Sequence, residues 1–195
     1  MFSGIISDLG QVRAISPNGD SRFEFATGYD TAGIEIGASV CCSGVCLTVI
    51  EKGKGWFAAS VSTETLAITT LADWTEGSPV NLERPLKLGD EMGGHMVSGH
   101  VDGVGNVLSV TPEGDSRRFL IEPPDGLQPL IAAKGSVAVD GVSLTVNEVT
   151  NSHFGFNAIP HTLKSTTLGG LEPGAQVNLE IDMLARYVAR LLERE

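Results

Sequence analysis

Two stretches decide how this chain is read: SVCCSGVCLTV at residues 39–49 and SVAVDGVSLTV at residues 136–146. They share seven of eleven positions at an offset of 97. The same offset aligns TLAITTL (65–71) with TLKSTTL (162–168), and VNLE (80–83) with VNLE (177–180). Nearer the start of each copy an offset of 95 aligns FSGII (2–6) with VSGHV (97–101), and PNGDSR (17–22) with PEGDSR (112–117). Blocks that keep their order at a near-constant spacing mark a duplicated domain of roughly 90 residues, a period too long for a solenoid repeat. The expected division is a first domain over 1–86, a linker over 87–96 rich in glycine and charge, a second domain over 97–182, and a tail over 183–195.

Within each copy, short β-type runs alternate with turn residues. Val40–Ile50, Phe57–Val61, Val80–Leu82, Val137–Val139, Leu144–Val146 and Val177–Ile181 read as strands. Asn18-Gly19 and Glu113-Gly114 mark matching turns, and Asp140-Gly141 suits a type I′ hairpin. Short helical turns are expected after Thr63 and Thr162 and over Leu127–Ala132. Strands at this spacing predict an all-β chain of small antiparallel barrels or sandwiches. The tail differs. Leu184, Tyr187, Val188, Leu191 and Leu192 fall at i, i+3, i+4, i+7 and i+8, one apolar stripe of a helix that Asp182 is placed to cap. So short a helix is marginal alone, so the stripe must be buried, on its own barrel or at an oligomer interface, and its position outside both repeats favours the interface.

Composition narrows the function. Acidic residues outnumber basic ones by 24 to 13, and there is no basic stripe, which argues against nucleic acid. No apolar run approaches a membrane span, and the N-terminus lacks the charged start and long apolar stretch of a signal peptide. Cys41, Cys42 and Cys46 crowd into six residues, all in the first copy, and read as reduced thiols of a cytoplasmic protein. Neither that cluster nor the pair His95 and His100 matches a zinc spacing, so no metal is expected. No phosphate-binding glycine loop is present.

In a duplicated protein, aligned positions that differ are candidates for divided labour. Cys46 aligns with Ser143, Ser43 with Asp140, Ile5 with His100, Glu64 with His161 and Phe2 with Val97. Each has a plainer reading: Cys46 as a small hydrophobe in a strand, Asp140 as a turn residue.

The start MFSGII, the two eleven-residue blocks, GGHMVSGHVDG (93–103) and VNLEID (177–182) together resemble riboflavin synthase of the α-chain type, over essentially the whole chain and with that family's duplication. The resemblance implies two six-stranded Greek-key barrels in tandem plus a C-terminal trimerisation helix. It implies conversion of two molecules of 6,7-dimethyl-8-ribityllumazine into riboflavin and 5-amino-6-(D-ribitylamino)uracil by transfer of a four-carbon unit, without a cofactor. The reacting pair would lie between the N-terminal barrel of one subunit and the C-terminal barrel of its neighbour, and lumazine synthase is a candidate partner. Two copies of one substrate need two similar pockets, and donor and acceptor roles explain why the pockets diverge. The matching positions give candidate catalytic residues: His100 as base toward the 7-methyl group, Cys46 or Ser143 as nucleophile or water-positioner, Asp140 to orient Ser143, and Phe2 to cover a ring face. Gly4, Ile5, Ser39, Glu64, Thr65, Gly99, Lys134, Thr145 and Asp182 are candidate substrate contacts. His161 stands where the family more usually has an acidic residue. The rival from another class is a non-catalytic lumazine- or flavin-binding antenna or carrier protein.

Overall fold

A computed structural model describes residues 1–17 and 20–193. The Asn18-Gly19 turn and the last two residues lie outside the described residues. In the first repeat the strands are β1 (Asp8–Ser16), β2 (Ser21–Ala26), β3 (Ser39–Cys42), β4 (Val45–Gly53), β5 (Trp56–Val61) and β6 (Pro79–Glu83). In the second they are β7 (Gly103–Glu113), β8 (Ser116–Glu122), β9 (Ser136–Val139), β10 (Val142–Val149), β11 (Phe154–Ala158) and β12 (Gln176–Ile181). Each set closes into an antiparallel barrel, β1-β2-β5-β4-β3-β6 and, equivalently, β7-β8-β11-β10-β9-β12. Because β6 returns to lie between β3 and β1, the connectivity is a Greek key.

Alternation dictates what each barrel encloses. Along β4, Val45, Leu47 and Val49 point inward while Cys46, Thr48 and Ile50 point out. On β10, Val142, Leu144 and Val146 point inward, Ser143 and Thr145 out. Phe23, Phe25, Phe57 and Leu82 fill the first barrel, and Phe119, Phe154, Phe156 and Leu179 the second, with Phe119 and Phe156 stacked at 4.9 Å between centroids. Closed six-stranded barrels have room for side chains only. Any ligand must therefore lie on the outer faces. Val40–Ile50, read above as one run, is a hairpin turning at Ser43 and Gly44, both at positive φ (43° and 86°). Its counterpart turns at Asp140 and Gly141 (47° and 77°). Short helices α1 (Thr63–Ile68) and α2 (Pro160–Ser165) follow β5 and β11, and a 3-10 turn covers Gln128–Leu130.

A near-two-fold network joins the barrels. The Asn81 side chain donates to Asp140 O (2.9 Å) and Thr167 Oγ1 (2.8 Å) and accepts from Thr167 N (2.8 Å). Asn178 mirrors it, donating to Ser43 O (2.9 Å) and accepting from Thr70 N (2.8 Å). The final helix, α3 (Met183–Leu192), begins where the Asp182 carboxylate accepts from Leu184 N at 2.9 Å. Arg186 anchors it through a two-pronged pair with the nearly buried Asp102 carboxylate, at 2.6 and 3.0 Å. The apolar stripe remains in the open: Leu184, Tyr187, Val188, Leu191 and Leu192 are 56–70% exposed. No helix among the described residues is long and apolar enough to cross a membrane.

Candidate functional site

The site is built by an exchange of segments. Phe2 and Val97, the aligned starts of the two repeats, pair antiparallel: Phe2 N donates to Val97 O (2.7 Å) and Val97 N to Phe2 O (3.1 Å). Beyond the bridge each chain segment is pinned by a buried glutamate of its own barrel. Glu83 accepts from Ser3 N, Ser3 Oγ and Gly4 N at 2.7–3.0 Å, and burial pushes its carboxyl up. Glu180 accepts from Ser98 N, Ser98 Oγ, Gly99 N and His100 N at 2.6–3.2 Å. So pinned, each segment lies against the opposite barrel. Gly99 O accepts from Cys46 N and Gly4 O from Ser143 N, both at 2.8 Å.

Only glycine fits at these crossings. Gly4 and Gly99 have φ of +75° and +80°, and a Cβ on either would come within 2.6 Å of the Ser143 or Cys46 Cβ. The result is two equivalent stations on outer faces. At the cysteine station, Cys46 on β4 meets Gly99, which leads directly into the exposed His100. Ser39 lies on the neighbouring strand β3, paired with Thr48. At the serine station, Ser143 on β10 meets Gly4 and the half-exposed Ile5, with Thr145 two residues along the same face.

The structure thus brings His100 to the station of Cys46 within one chain, not to that of Ser143. It corrects two expectations. Asp140 does not orient Ser143: one carboxylate oxygen accepts from Asn178 N at 2.8 Å in the inter-barrel network, and burial there raises its pKa to about 7. Phe2 does not cover a ring face. Its backbone pairing turns the side chain inward, where it is fully buried with Cys41, Val97 and Ala138. Cys41 and Cys42 are buried, and desolvation pushes both thiols up.

The remaining candidates lie on exposed loops and caps. Glu64 and Thr65 sit in the first turn of α1, where Thr65 N donates to the capping Ser62 Oγ (3.1 Å). His161 is exposed in the first turn of α2. Lys134 holds φ +66° where the first repeat has Gly37 at +87°, and both backbone N–H groups bond the next strand pair, to Val146 O and Val49 O at 2.8 Å.

One residue of the serine station was missed. His95, assigned to the linker, places Nδ1 2.7 Å from the Ser143 hydroxyl. Its sequence signal was its place in GGHMVSGHVDG (93–103), two residues ahead of the Val97-Ser98-Gly99 segment.

Comparison with known proteins adds identity to this geometry. The lumazine binding domain family matches twice, over residues 3–85 and 98–182. The riboflavin synthase of Brucella abortus (strain 2308) is 50% identical, covering 99% of this chain and 98% of its own length. The chain belongs to the riboflavin synthase family. The enzymes of that name from Photobacterium phosphoreum and Bacillus subtilis (strain 168) are 42% and 34% identical over 98% and 100% of this chain. Among solved structures, LumP complexed with 6,7-dimethyl-8-(1'-D-ribityl) lumazine matches at a TM-score of 0.84 and LumP complexed with riboflavin at 0.86. Both are 27% identical to this riboflavin synthase family member, covering 93% of it and 99% of LumP.

Proposed function

We propose that this chain catalyses the dismutation of two molecules of 6,7-dimethyl-8-ribityllumazine to riboflavin and 5-amino-6-(D-ribitylamino)uracil, a group transfer of a four-carbon unit. The observation that carries the reading is the pair of stations: the same backbone crossing built twice, with Cys46 and His100 at one and Ser143 at the other. Equivalent frames accept two copies of one heterocycle. Different side chains let one copy donate and the other accept. Full-length relatives that are riboflavin synthases favour this over a non-catalytic carrier.

His100, exposed and next to the Gly99 that meets Cys46, takes a proton from the 7-methyl group of one lumazine. Cys46 or Ser143 adds to carbon 7 of the other, directly or through a positioned water. Gly4, Ile5 and Gly99 frame the two heterocycles. Ser39, Glu64, Thr65, Thr145 and Asp182 bind ribityl hydroxyls or the heterocycle edge, and Lys134 favours developing negative charge. Much of the acceleration comes from holding two ring systems in register.

The working protein is a cytoplasmic homotrimer joined through α3, divided as residues 1–86, 87–96, 97–182 and 183–195. The exposed stripe supports this: burying its five large side chains would supply on the order of 10 kcal/mol before ordering costs. The donor and acceptor then meet between the first barrel of one subunit and the second of the next. The test is purified protein with 6,7-dimethyl-8-ribityllumazine as sole substrate, followed by absorbance. Riboflavin formed at half the lumazine consumed is the expected result. Stable lumazine fluorescence with no riboflavin would refute it and fit a carrier.

A further inference from the structure

Beyond its heteroatom, Ser143 differs from its counterpart Cys46 in having a side-chain partner. No hydrogen bond reaches the Cys46 sulfur among the described residues, whereas the Ser143 Oγ lies 2.7 Å from His95 Nδ1. The imidazole is held from several directions. His95 is 9% exposed, and its backbone N–H donates to Ser3 O at 3.2 Å. The preceding Gly94 is pressed so closely on the serine station that a Cβ there would come within 2.1 Å of Ser3 O and 2.7 Å of the Ser143 Cβ. The other ring nitrogen, Nε2, is buried with no partner.

We propose that His95 is the positioning residue of the serine station, fixing the Ser143 hydroxyl and accepting its proton at Nδ1 when Ser143 Oγ adds to carbon 7 of a lumazine. The proposal rests on the dismutation described above and deepens it by assigning the nucleophile. In the step the Oγ–H bond breaks as the Oγ–C7 bond forms. The proton passes to Nδ1, and the π pair at carbon 7 moves into the pyrimidinedione ring. The reverse transfer returns the proton when the serine departs, so neither oxidant nor reductant enters. A ring that accepts at Nδ1 must carry its single proton on Nε2.

The surroundings suit this cycle. Burial holds the His95 pKa below its ordinary value, which favours the neutral ring with a free lone pair. The charges that face it are the carboxylates of Asp182, at the cap of α3, and Glu180, at the end of β12, both of which favour the protonated ring. They would stabilise the imidazolium formed during addition.

The test uses the full chain in three variants, His95→Asn, Ser143→Ala and the double variant, with turnover measured across pH and riboflavin affinity by fluorescence. Asparagine keeps a hydrogen-bonding group near Nδ1 but cannot act as a base. His95→Asn should lower kcat about 100-fold or more while riboflavin affinity stays within about threefold. The double variant should be no slower than Ser143→Ala, because the two residues act as one unit. A His95→Asn enzyme within about threefold of wild-type kcat, or losses that multiply in the double variant, would overturn the assignment. Should His95→Asn not fold, the wild-type ring is read by 15N NMR: Nδ1 should report an acceptor whose shift changes in Ser143→Ala, and a protonated Nδ1 would overturn it. A wild-type protein that forms no riboflavin would sink the dismutation itself, whereas a fully active His95→Asn variant sinks only the role of His95.

Discussion

Replacing Asp140 with asparagine should make the protein more stable at pH 8 and leave it nearly unchanged at pH 4. The Asp140 carboxyl is buried between the barrels, accepting from Asn178 N, and burial raises its pKa from 3.8 to about 7. Below pH 3.8 folded and unfolded chains both hold the proton, and the group costs nothing. As pH rises through the window from 3.8 to about 7, the unfolded chain ionises first and stability is lost. Above about 7 the loss is complete. A shift of roughly three units corresponds to about 4 kcal/mol. Asparagine keeps the oxygen that accepts from Asn178, tolerates the left-handed backbone at φ +47°, and never ionises. Calorimetry of both proteins from pH 4 to pH 8 reads the difference. With about 2–4 °C per kcal/mol expected for a chain of this size, the melting temperatures should diverge by on the order of 10 °C at pH 8. A gap that is the same at pH 4 and pH 8, or a variant less stable at pH 8, would refute the reasoning.

Three further outcomes are expected. Deleting residues 183–195 should convert a trimer to monomers in sedimentation and sharply reduce activity, because the exposed stripe on α3 is lost. Gly99→Ala should cost at least about 1–2 kcal/mol in denaturant unfolding, since it combines a left-handed backbone with a Cβ 2.6 Å from that of Cys46. His100→Gln should lower kcat by about 100-fold or more while leaving riboflavin affinity within a few-fold, checked by steady-state turnover and fluorescence titration.

The parts of this fold that were legible in the sequence are those with strong local periodicity or a matching copy. The hairpin at Asp140-Gly141, the stripe of α3 and its cap at Asp182 were readable because each is decided within a few residues. Strands β1, β2, β7 and β8 were not. In DLGQVRAIS only Val12 is fully buried while Leu9 is 47% exposed, and β7 carries Pro112 and an exposed Leu108, so the alternation is diluted. At the site, the repeat alignment pointed to Cys46, Ser143 and His100 because they diverge. It could not show that the segment of each repeat lies on the other barrel, since that depends on Glu83, Glu180 and the Phe2–Val97 bridge acting together. The same tertiary arrangement hid His95 in a linker and misdirected Asp140 toward Ser143.

The crossing of Gly4 and Gly99 also constrains how such a chain can arise and change. A lone barrel cannot finish its own station, so an ancestor with a single barrel would have needed a twin to lend the missing segment. Fusion of two such genes would have kept that mutual dependence while freeing the halves to drift apart in chemistry, a thiol on one side and a hydroxyl on the other. A mutation at residue 99 is inherited with the second half of the gene, yet its effect is felt at Cys46 in the first, so neither half evolves alone.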